Sequence, residues 1–252
     1  MMATTVHRLL IHMPNIVKRK NDAVAWHSNE FLNAAYSMTR DEKRILWMCM
    51  SAIGDAEDKH SPAFEITVKR YTQMFGVPSA EATNDIRGAL SKLLRRSITI
   101  YRPDESTEDE EAWDVYSILM RTAKRPKRGV YEIDVNPYLL PFFYGLKREF
   151  TKLQLLEVAD LRNPHAMRLY ENLIQFESTG TFCKQLEWFI DRYQLPESYS
   201  RYANFKQKFL DVAVAEINAK TPLSVGYVEN KTGRKVASIL FSFSRKSAQA
   251  DC

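Results

Sequence analysis

The sequence predicts an α+β protein made of two tandem winged-helix domains, because one local pattern occurs twice and a basic hairpin follows each copy. The first copy, RYTQMFGVPS, occupies residues 70–79, and the second, DRYQLPESYS, occupies residues 191–200. Each places an Arg-Tyr pair and a Pro-containing turn before an amphipathic helix, which is the outline of a helix-turn-helix unit. Such a unit lays its second helix in a DNA major groove, so two units predict contact with an extended DNA site.

Size and composition fit this organisation. The 252 residues, 45% of them hydrophobic, are enough for two domains with separate cores, and the net charge of +5 suits a polyanionic partner without requiring one. The cysteines Cys49, Cys183 and Cys252 form no Cys-x-x-Cys pair, which argues against a disulfide framework or a zinc site. Neither a signal peptide nor a membrane-spanning run is recognisable. We therefore expect a cytoplasmic protein without metal, cofactor or membrane association.

The N-terminal third contains an arm and the first helices of a domain predicted at residues 29–148. Residues 1–28 lack a sustained period and carry Lys18-Arg19-Lys20, so we interpret them as a flexible basic arm. Such an arm fits a phosphate contact and a solvated tail equally well. Thr39 and Glu42 form a capping box that predicts the start of the first long helix. Residues 64–68 alternate as a short strand or lead directly into the next helix.

The second helix of the first unit is predicted to begin after Ser79 and to end near Arg95. Its buried stripe follows from apolar residues at helical spacing, namely Ala82, Ile86, Leu90, Leu93 and Leu94. Its opposite face carries Asn84, Arg87, Ser91 and Arg95. Asparagine and arginine suit the edges of adenine and guanine, although an ordinary solvated face would have the same pattern.

An acidic segment and a basic hairpin follow this helix. Six of the eight residues at 104–111 are acidic, which predicts a loop that points away from DNA. The hairpin tip that follows carries Arg121, Lys124, Arg125, Lys127 and Arg128. This is the expected wing, which contacts the DNA backbone or minor groove, but an exposed turn that protects a sheet edge would look similar. Asn136-Pro137 then begins a helix through residues 139–146, which forms core or the contact between domains.

The second half, predicted as a domain at residues 149–245, repeats this order. Helices are predicted from Asn163-Pro164, over residues 186–193 and from about 202 to 220. The last helix buries Phe205, Phe209, Val212, Ala213 and Ile217 in our interpretation, and exposes Arg201, Asn204, Lys206, Gln207, Lys208 and Asp211. Its dense amides and cations make it the better DNA-reading candidate. A hairpin with Lys231, Arg234 and Lys235 near its tip follows, and residues 246–252 are predicted as a loose tail.

Five segments, at residues 32–47, 71–90, 130–143, 163–173 and 191–199, resemble the iteron-binding plasmid replication initiators in sequence and in order. The resemblance spans residues 28–244. It implies winged-helix domains related by pseudo-twofold symmetry, monomers that bind direct repeats (iterons) in double-stranded origin DNA, and dimers that repress their own promoter through an inverted repeat. It further implies a host initiator protein, the replicative helicase and chaperones as partners.

The same resemblance implies a division of labour between the two domains. The C-terminal domain would dominate base recognition, through Arg201, Asn204, Lys206, Gln207 and Lys208. Close relatives have a nearly unbroken arginine run where this chain has Lys206-Gln207-Lys208, and lysine lacks the planar fork of arginine, so we expect a different preferred repeat. The N-terminal domain would contact the other half of the repeat and carry the dimer interface, for which the strands around residues 115–120 are our candidate.

A transcriptional repressor and an enzyme are the two alternatives to an initiator. A winged-helix transcriptional repressor without initiator activity would share the same DNA-binding features, so only the family resemblance separates the two. A rolling-circle nickase needs a His-hydrophobic-His pair, which the histidines at 7, 12, 27, 60 and 165 do not form, and an ATPase needs a Gly-Lys dipeptide that the sequence lacks. We therefore predict that the protein is not an enzyme.

Overall fold

The computed structural model describes residues 23–55, 62–143 and 150–247. The N-terminal half contains β1 (Val24–Ser28), α1 (Asn29–Leu32), α2 (Arg40–Asp55), β2 (Ala63–Thr67), α3 (Val68–Phe75), α4 (Ser79–Leu93), β3 (Ser97–Arg102), β4 (Ala112–Ser117), β5 (Leu119–Arg125) and β6 (Val130–Val135). The C-terminal half contains β7 (Phe150–Gln154), α5 (Leu155–Val158), α6 (Pro164–Gln175), β8 (Thr181–Gln185), α7 (Leu186–Arg192), α8 (Tyr202–Phe205), a π-helical turn (Lys206–Leu210), α9 (Asp211–Lys220), β9 (Leu223–Thr232) and β10 (Lys235–Arg245).

Both halves have the same winged-helix topology, which confirms the predicted tandem arrangement. In the first, α3 and α4 are followed by the β5–β6 hairpin, and the sheet order is β2-β6-β5. In the second, α7 and the helix over residues 202–220 are followed by the β9–β10 hairpin, and the sheet order is β8-β10-β9. The strand before each helix-turn-helix unit therefore pairs with the return strand of its wing. The first domain adds a separate β3–β4 hairpin between α4 and the wing.

Side-chain caps set several of the helix ends as predicted. Glu42 accepts a hydrogen bond from the backbone N–H of Thr39 at 2.7 Å, and the Thr39 hydroxyl accepts one from Glu42 at 3.4 Å, so the capping box is confirmed. Asn163 caps α6 through the N–H of His165. Asn136 caps only a short 3₁₀ turn, because Pro141 within it has no N–H to continue an α-helix. Residues 144–146 of the helix predicted there lie outside the described part of the chain.

Both ends of the fold are more ordered than the sequence predicted. Residues 24–28, assigned to the basic arm, form β1 and pair antiparallel with β7, while residues 1–22 lie outside the described range. Lys246, assigned to a loose tail, donates its backbone N–H to Pro222 and its Nζ to Thr221, each at 2.8 Å. Strands β1, β7 and β8 were missed, since each has only five residues and lacks a clean alternation.

The π-helical turn changes which residues of the last long helix face the core. A π turn contains more residues than an α turn, so every side chain after it is rotated relative to the expected phase. Leu210 is fully buried as a result, and Val212, which was predicted to be buried, is 44% exposed. Leu94 was also predicted to be buried but is 39% exposed, because it caps the C-terminus of α4 rather than lying within it.

The two domains share one continuous hydrophobic core, and α2 and α6 meet inside it. There Glu171 accepts hydrogen bonds from Lys43 Nζ and Trp47 Nε1, each at 2.5 Å, with all three side chains buried. Two arginines make reciprocal contacts across the interface. Arg44 of α2 donates to the carbonyl of Ala159 at 3.1 Å, and Arg168 of α6 donates to the carbonyls of Ala34 and Tyr36.

Candidate nucleic-acid interface

The outer face of α4 is polar and exposed, as predicted. Asn84, Arg87 and Ser91 lie on it, opposite the buried Ala82 and Ile86. Arg87 Nη2 donates to Asn84 Oδ1 at 3.3 Å, which orients the amide and the guanidinium side by side. No ion pair neutralises Arg87 among the residues that the structure describes. These groups are therefore free to donate to base edges or phosphates.

The helix over residues 202–220 presents a second such face. Arg201, Gln207 and Lys208 are exposed on it. Asn204 is half-buried and donates its Nδ2 to the carbonyl of Ser198 at 2.8 Å, so this amide also ties the helix start to the turn that precedes it. The face thus offers two cations and one amide without an internal partner in the described chain.

Lys206 departs from its predicted place on that face. Its Nζ donates to Tyr227 at 2.6 Å and to Glu229 at 3.0 Å, both on β9, and these hydrogen bonds raise the pKa of Lys206. The Tyr227 hydroxyl in turn donates to Asp211 at 2.5 Å. Lys206 therefore connects the second recognition helix, residues 202–220, to strand β9 of the wing, and Glu229 neutralises its charge.

The wing of the first domain also differs from the prediction, because most of its cations are paired. Arg125 contacts Glu132 at 2.8 Å, and Arg128 contacts Glu132 at 2.5 Å and Glu65 at 2.8 Å. Arg121 joins the same network and holds the pKa of Glu132 below its ordinary value. Within the described residues, Lys124 and Lys127 are the two of these five basic residues that form no ion pair.

The wing of the second domain keeps its cations unpaired. Lys231, Arg234 and Lys235 are exposed, and none forms an ion pair with any residue in the ranges the structure covers. Gly233, with φ at +62°, allows the tight turn that places these three side chains together at the tip. This hairpin therefore carries the uncompensated positive charge that a phosphate contact requires.

The β3–β4 hairpin has an acidic end and an exposed apolar face. Its connecting segment contains the predicted acidic loop, of which Glu111 pairs with Arg192 of α7 at 2.7 Å. Within the described sheet, β4 pairs only with β3, and it exposes Trp113 and Val115 by 59% and 52%. The outer edge of β4 therefore presents backbone N–H and C=O groups that pair with no described strand, and they lie beside these apolar side chains.

Within the described ranges the chain has neither a cluster of metal ligands nor a membrane-spanning helix. No cluster of three or more histidine, cysteine, aspartate or glutamate side chains there is arranged to hold a metal ion. None of the helices in those ranges is both long and apolar enough to span a membrane.

The sequence interpretation missed the acidic partners of the first wing and the contact of Lys206 with β9. Strand alternation contained a signal for the former: Glu132 and Asp134 lie two residues apart on β6 and share the face of their antiparallel neighbours on β5. The contact of Lys206 with β9 joins residues more than 20 positions apart, and no local pattern reports it.

Comparison with known proteins places these features in a family. The family described as "Initiator Replication protein, WH1" matches residues 25–174, and "Initiator Rep protein, WH2" matches residues 185–243. An uncharacterized 27.6 kDa protein of Escherichia coli is 35% identical over 84% of this chain and 92% of its own length. An uncharacterized 6.6 kDa protein of the same species is 44% identical over 21% of this chain and 95% of its own length.

A solved structure has the same fold. The Pi initiator protein, crystallised in complex with iteron DNA, superimposes with a TM-score of 0.71 and 19% identity, over 91% of this chain and all of that one. The two domain matches, in the order in which the two winged helices occur, show that the chain belongs to the family of initiator replication proteins.

Proposed function

We propose that this protein initiates plasmid replication by binding iterons in double-stranded DNA as a monomer, with both winged helices on one repeat. The observation that carries the proposal is the presence of two separate reading faces, on α4 and on residues 202–220, each with exposed amides and cations. A family member of the same fold was crystallised with iteron DNA, which supports this assignment. The C-terminal domain (149–245) chooses the base sequence, and the N-terminal domain (29–148) adds contacts.

Each group has a role that follows from its chemistry. Arg201, Gln207 and Lys208 donate to acceptors on base edges in one major groove, and Asn84 and Arg87 do so in the next. Ser91 and the unpaired cations of the second wing, Lys231, Arg234 and Lys235, contact phosphates, which fixes the register of the protein. Several monomers on adjacent repeats bend the array, and the added contacts offset the cost of opening a neighbouring A·T-rich segment.

A second form, the dimer, represses the promoter of the initiator's own gene through an inverted repeat. The free edge of β4 supports this part of the proposal, because its unpaired N–H and C=O groups can pair with β4 of a second copy. Trp113 and Val115 would become buried in such a contact. The host initiator protein, the replicative helicase and chaperones complete the proposed set of partners, in the bacterial cytoplasm.

Selection of binding sites from random double-stranded DNA tests the proposal, if the oligomeric state of each complex is measured by light scattering. We expect monomers on direct repeats and dimers on inverted repeats. Dimers bound to inverted repeats alone would instead favour a transcriptional repressor without initiator activity. Val115→Lys should yield monomers at micromolar concentration, whereas Val228→Lys, a matched control that is 56% exposed on β9, should still dimerise.

A further inference from the structure

Val212 occupies an unusual place for an apolar side chain. It lies one turn after Lys208 on the same face of the helix over residues 202–220, and it is 44% exposed. The other large hydrophobic side chains that are comparably exposed in the described chain lie on strands, in turns or just beyond a helix end. An isolated exposed valine is unremarkable by itself, but this one lies where DNA is proposed to bind.

The π-helical turn is the reason for this exposure. With regular α spacing, Val212 would face the core together with Phe209 and Ala213, and Leu210 would be displaced from it. The π turn at Lys206–Leu210 rotates the residues that follow it, so Leu210 packs in the core and Val212 faces outward in line with Lys208. π turns are uncommon and are found often at functional sites, which gives the outward valine a second line of support.

We infer that Val212 contacts the 5-methyl group of a thymine in the major groove and thereby selects an A·T pair at one position of the repeat. The thymine methyl is the one apolar group that base pairs present in that groove, and it is the natural partner of an exposed aliphatic side chain. Lys208, one turn earlier, donates to an acceptor on a neighbouring base. This inference rests on the proposed DNA-binding function and adds to it the identity of one base pair.

Replacing thymine by deoxyuridine, one position at a time, tests this contact on a duplex obtained by selection from random DNA. Uracil lacks only the 5-methyl group and pairs in the same way. At one thymine we expect the substitution to weaken binding about fourfold, the value for losing one buried methylene-sized group. Val212→Ala should weaken binding to the thymine duplex by a similar factor and remove the difference between thymine and uracil at that position.

The outcomes separate this inference from the proposed function. If Val212→Ala keeps the same sensitivity to uracil at every position, the thymine contact is wrong while sequence-specific binding stands. If the wild-type protein selects no duplex at all, the proposed function itself is wrong. Alanine is the best helix former and position 212 is exposed, so the variant is expected to fold, which circular dichroism checks.

Gly88 carries a second inference by an independent observation. It lies in the middle of α4 on the exposed face, between Asn84 and Ser91, and a Cβ placed on it would meet no atom of the described chain within 4 Å. Glycine destabilises a helix interior, and neither a positive φ nor internal packing requires it here. We infer that Gly88 lets the backbone of α4 approach DNA more closely than any side chain would permit.

Gly88→Ala should therefore have opposite effects on stability and binding. The melting temperature is expected to rise by about 2–4 °C, because alanine favours the helix. Affinity for the selected duplex is expected to fall, with Ser91→Ala on the same face as the matched control for loss of a single phosphate contact. A Gly88→Ala protein that is more stable and binds DNA as tightly as the wild type would refute close approach at this position.

Discussion

The two winged helices differ in the positive charge that their wings leave free. In the first domain the reading helix keeps Arg87 unpaired, while the wing arginines Arg125 and Arg128 are held by carboxylates. In the second domain the wing cations are unpaired, and the recognition helix also keeps Arg201 and Lys208 without an ion pair in the described residues, although Lys206 is held by Glu229. The same topology therefore carries neutralised cations on one wing and free cations on the other. A count of basic residues in a hairpin therefore does not predict its free charge, because acidic residues on neighbouring strands can neutralise them.

The buried pair Lys43–Glu171 joins α2 to α6, where the two halves of the fold pack together. Lys43→Met leaves the Glu171 carboxylate buried without its cation, and we expect the free energy of unfolding to fall by about 3–5 kcal/mol. Urea denaturation measures the loss. Lys43→Met/Glu171→Leu is the matched control, because replacing both charges by apolar groups is close to neutral. An unchanged urea midpoint in Lys43→Met would mean that the pair does not hold the domains.

Loss of one arginine should weaken DNA binding more in the second recognition helix than in the first. Arg201→Ala is expected to cost about 1–3 kcal/mol of binding energy and to relax sequence preference at one position, as loss of a bidentate base contact does. Arg87→Ala should cost less, since we propose that the N-terminal domain adds contacts rather than choosing sequence. Fluorescence anisotropy on the selected duplex measures both. A larger loss for Arg87→Ala than for Arg201→Ala would reverse our ranking of the two domains.

Acid should loosen the junction of the domains. Burial lowers the pKa of His27 to about 4, against the opposing influence of Glu171 beside it. Between pH 6.5 and 4 the unfolded chain therefore binds a proton that the folded chain refuses, so stability falls as pH falls. We expect a loss of about 2 kcal/mol from pH 7 to 5, from that shift. His27→Phe should flatten this slope in urea titrations, and an unchanged slope would contradict it.

Sequence periodicity was sufficient to predict the architecture and the exposed residues of α4. The capping box at Thr39, the asparagine caps and both wings followed from local chemistry, which acts over a few residues. The rotational phase of the last helix could not be predicted in this way. The π turn at Lys206–Leu210 moves Val212 outward, and the spacing of residues in the sequence does not indicate a π turn. The pairing of Lys43 with Glu171 spans 128 positions and depends on how the two domains pack, which no local pattern reports.

The free charge of each wing could not be predicted from a count of its basic residues either. Arg128 and Arg234 look equivalent in the sequence, since each lies next to a glycine at a hairpin tip. The structure separates them by their surroundings. Arg128 lies between Glu65 and Glu132, whereas Arg234 has no carboxylate partner in the part of the chain described.

These two arginines give the most direct test of the contrast between the wings. Arg234→Ala should remove one phosphate contact, so the slope of log affinity against log salt should decrease by about 0.9, with a loss that is uniform across DNA sequences. Arg128→Ala, with the same chemistry at the same place in the fold, should leave the slope nearly unchanged, because its charge is already balanced by Glu65 and Glu132. Equal changes in slope would mean that Arg128 exchanges its carboxylates for phosphate on binding, and the contrast between the two wings would then describe only the free protein.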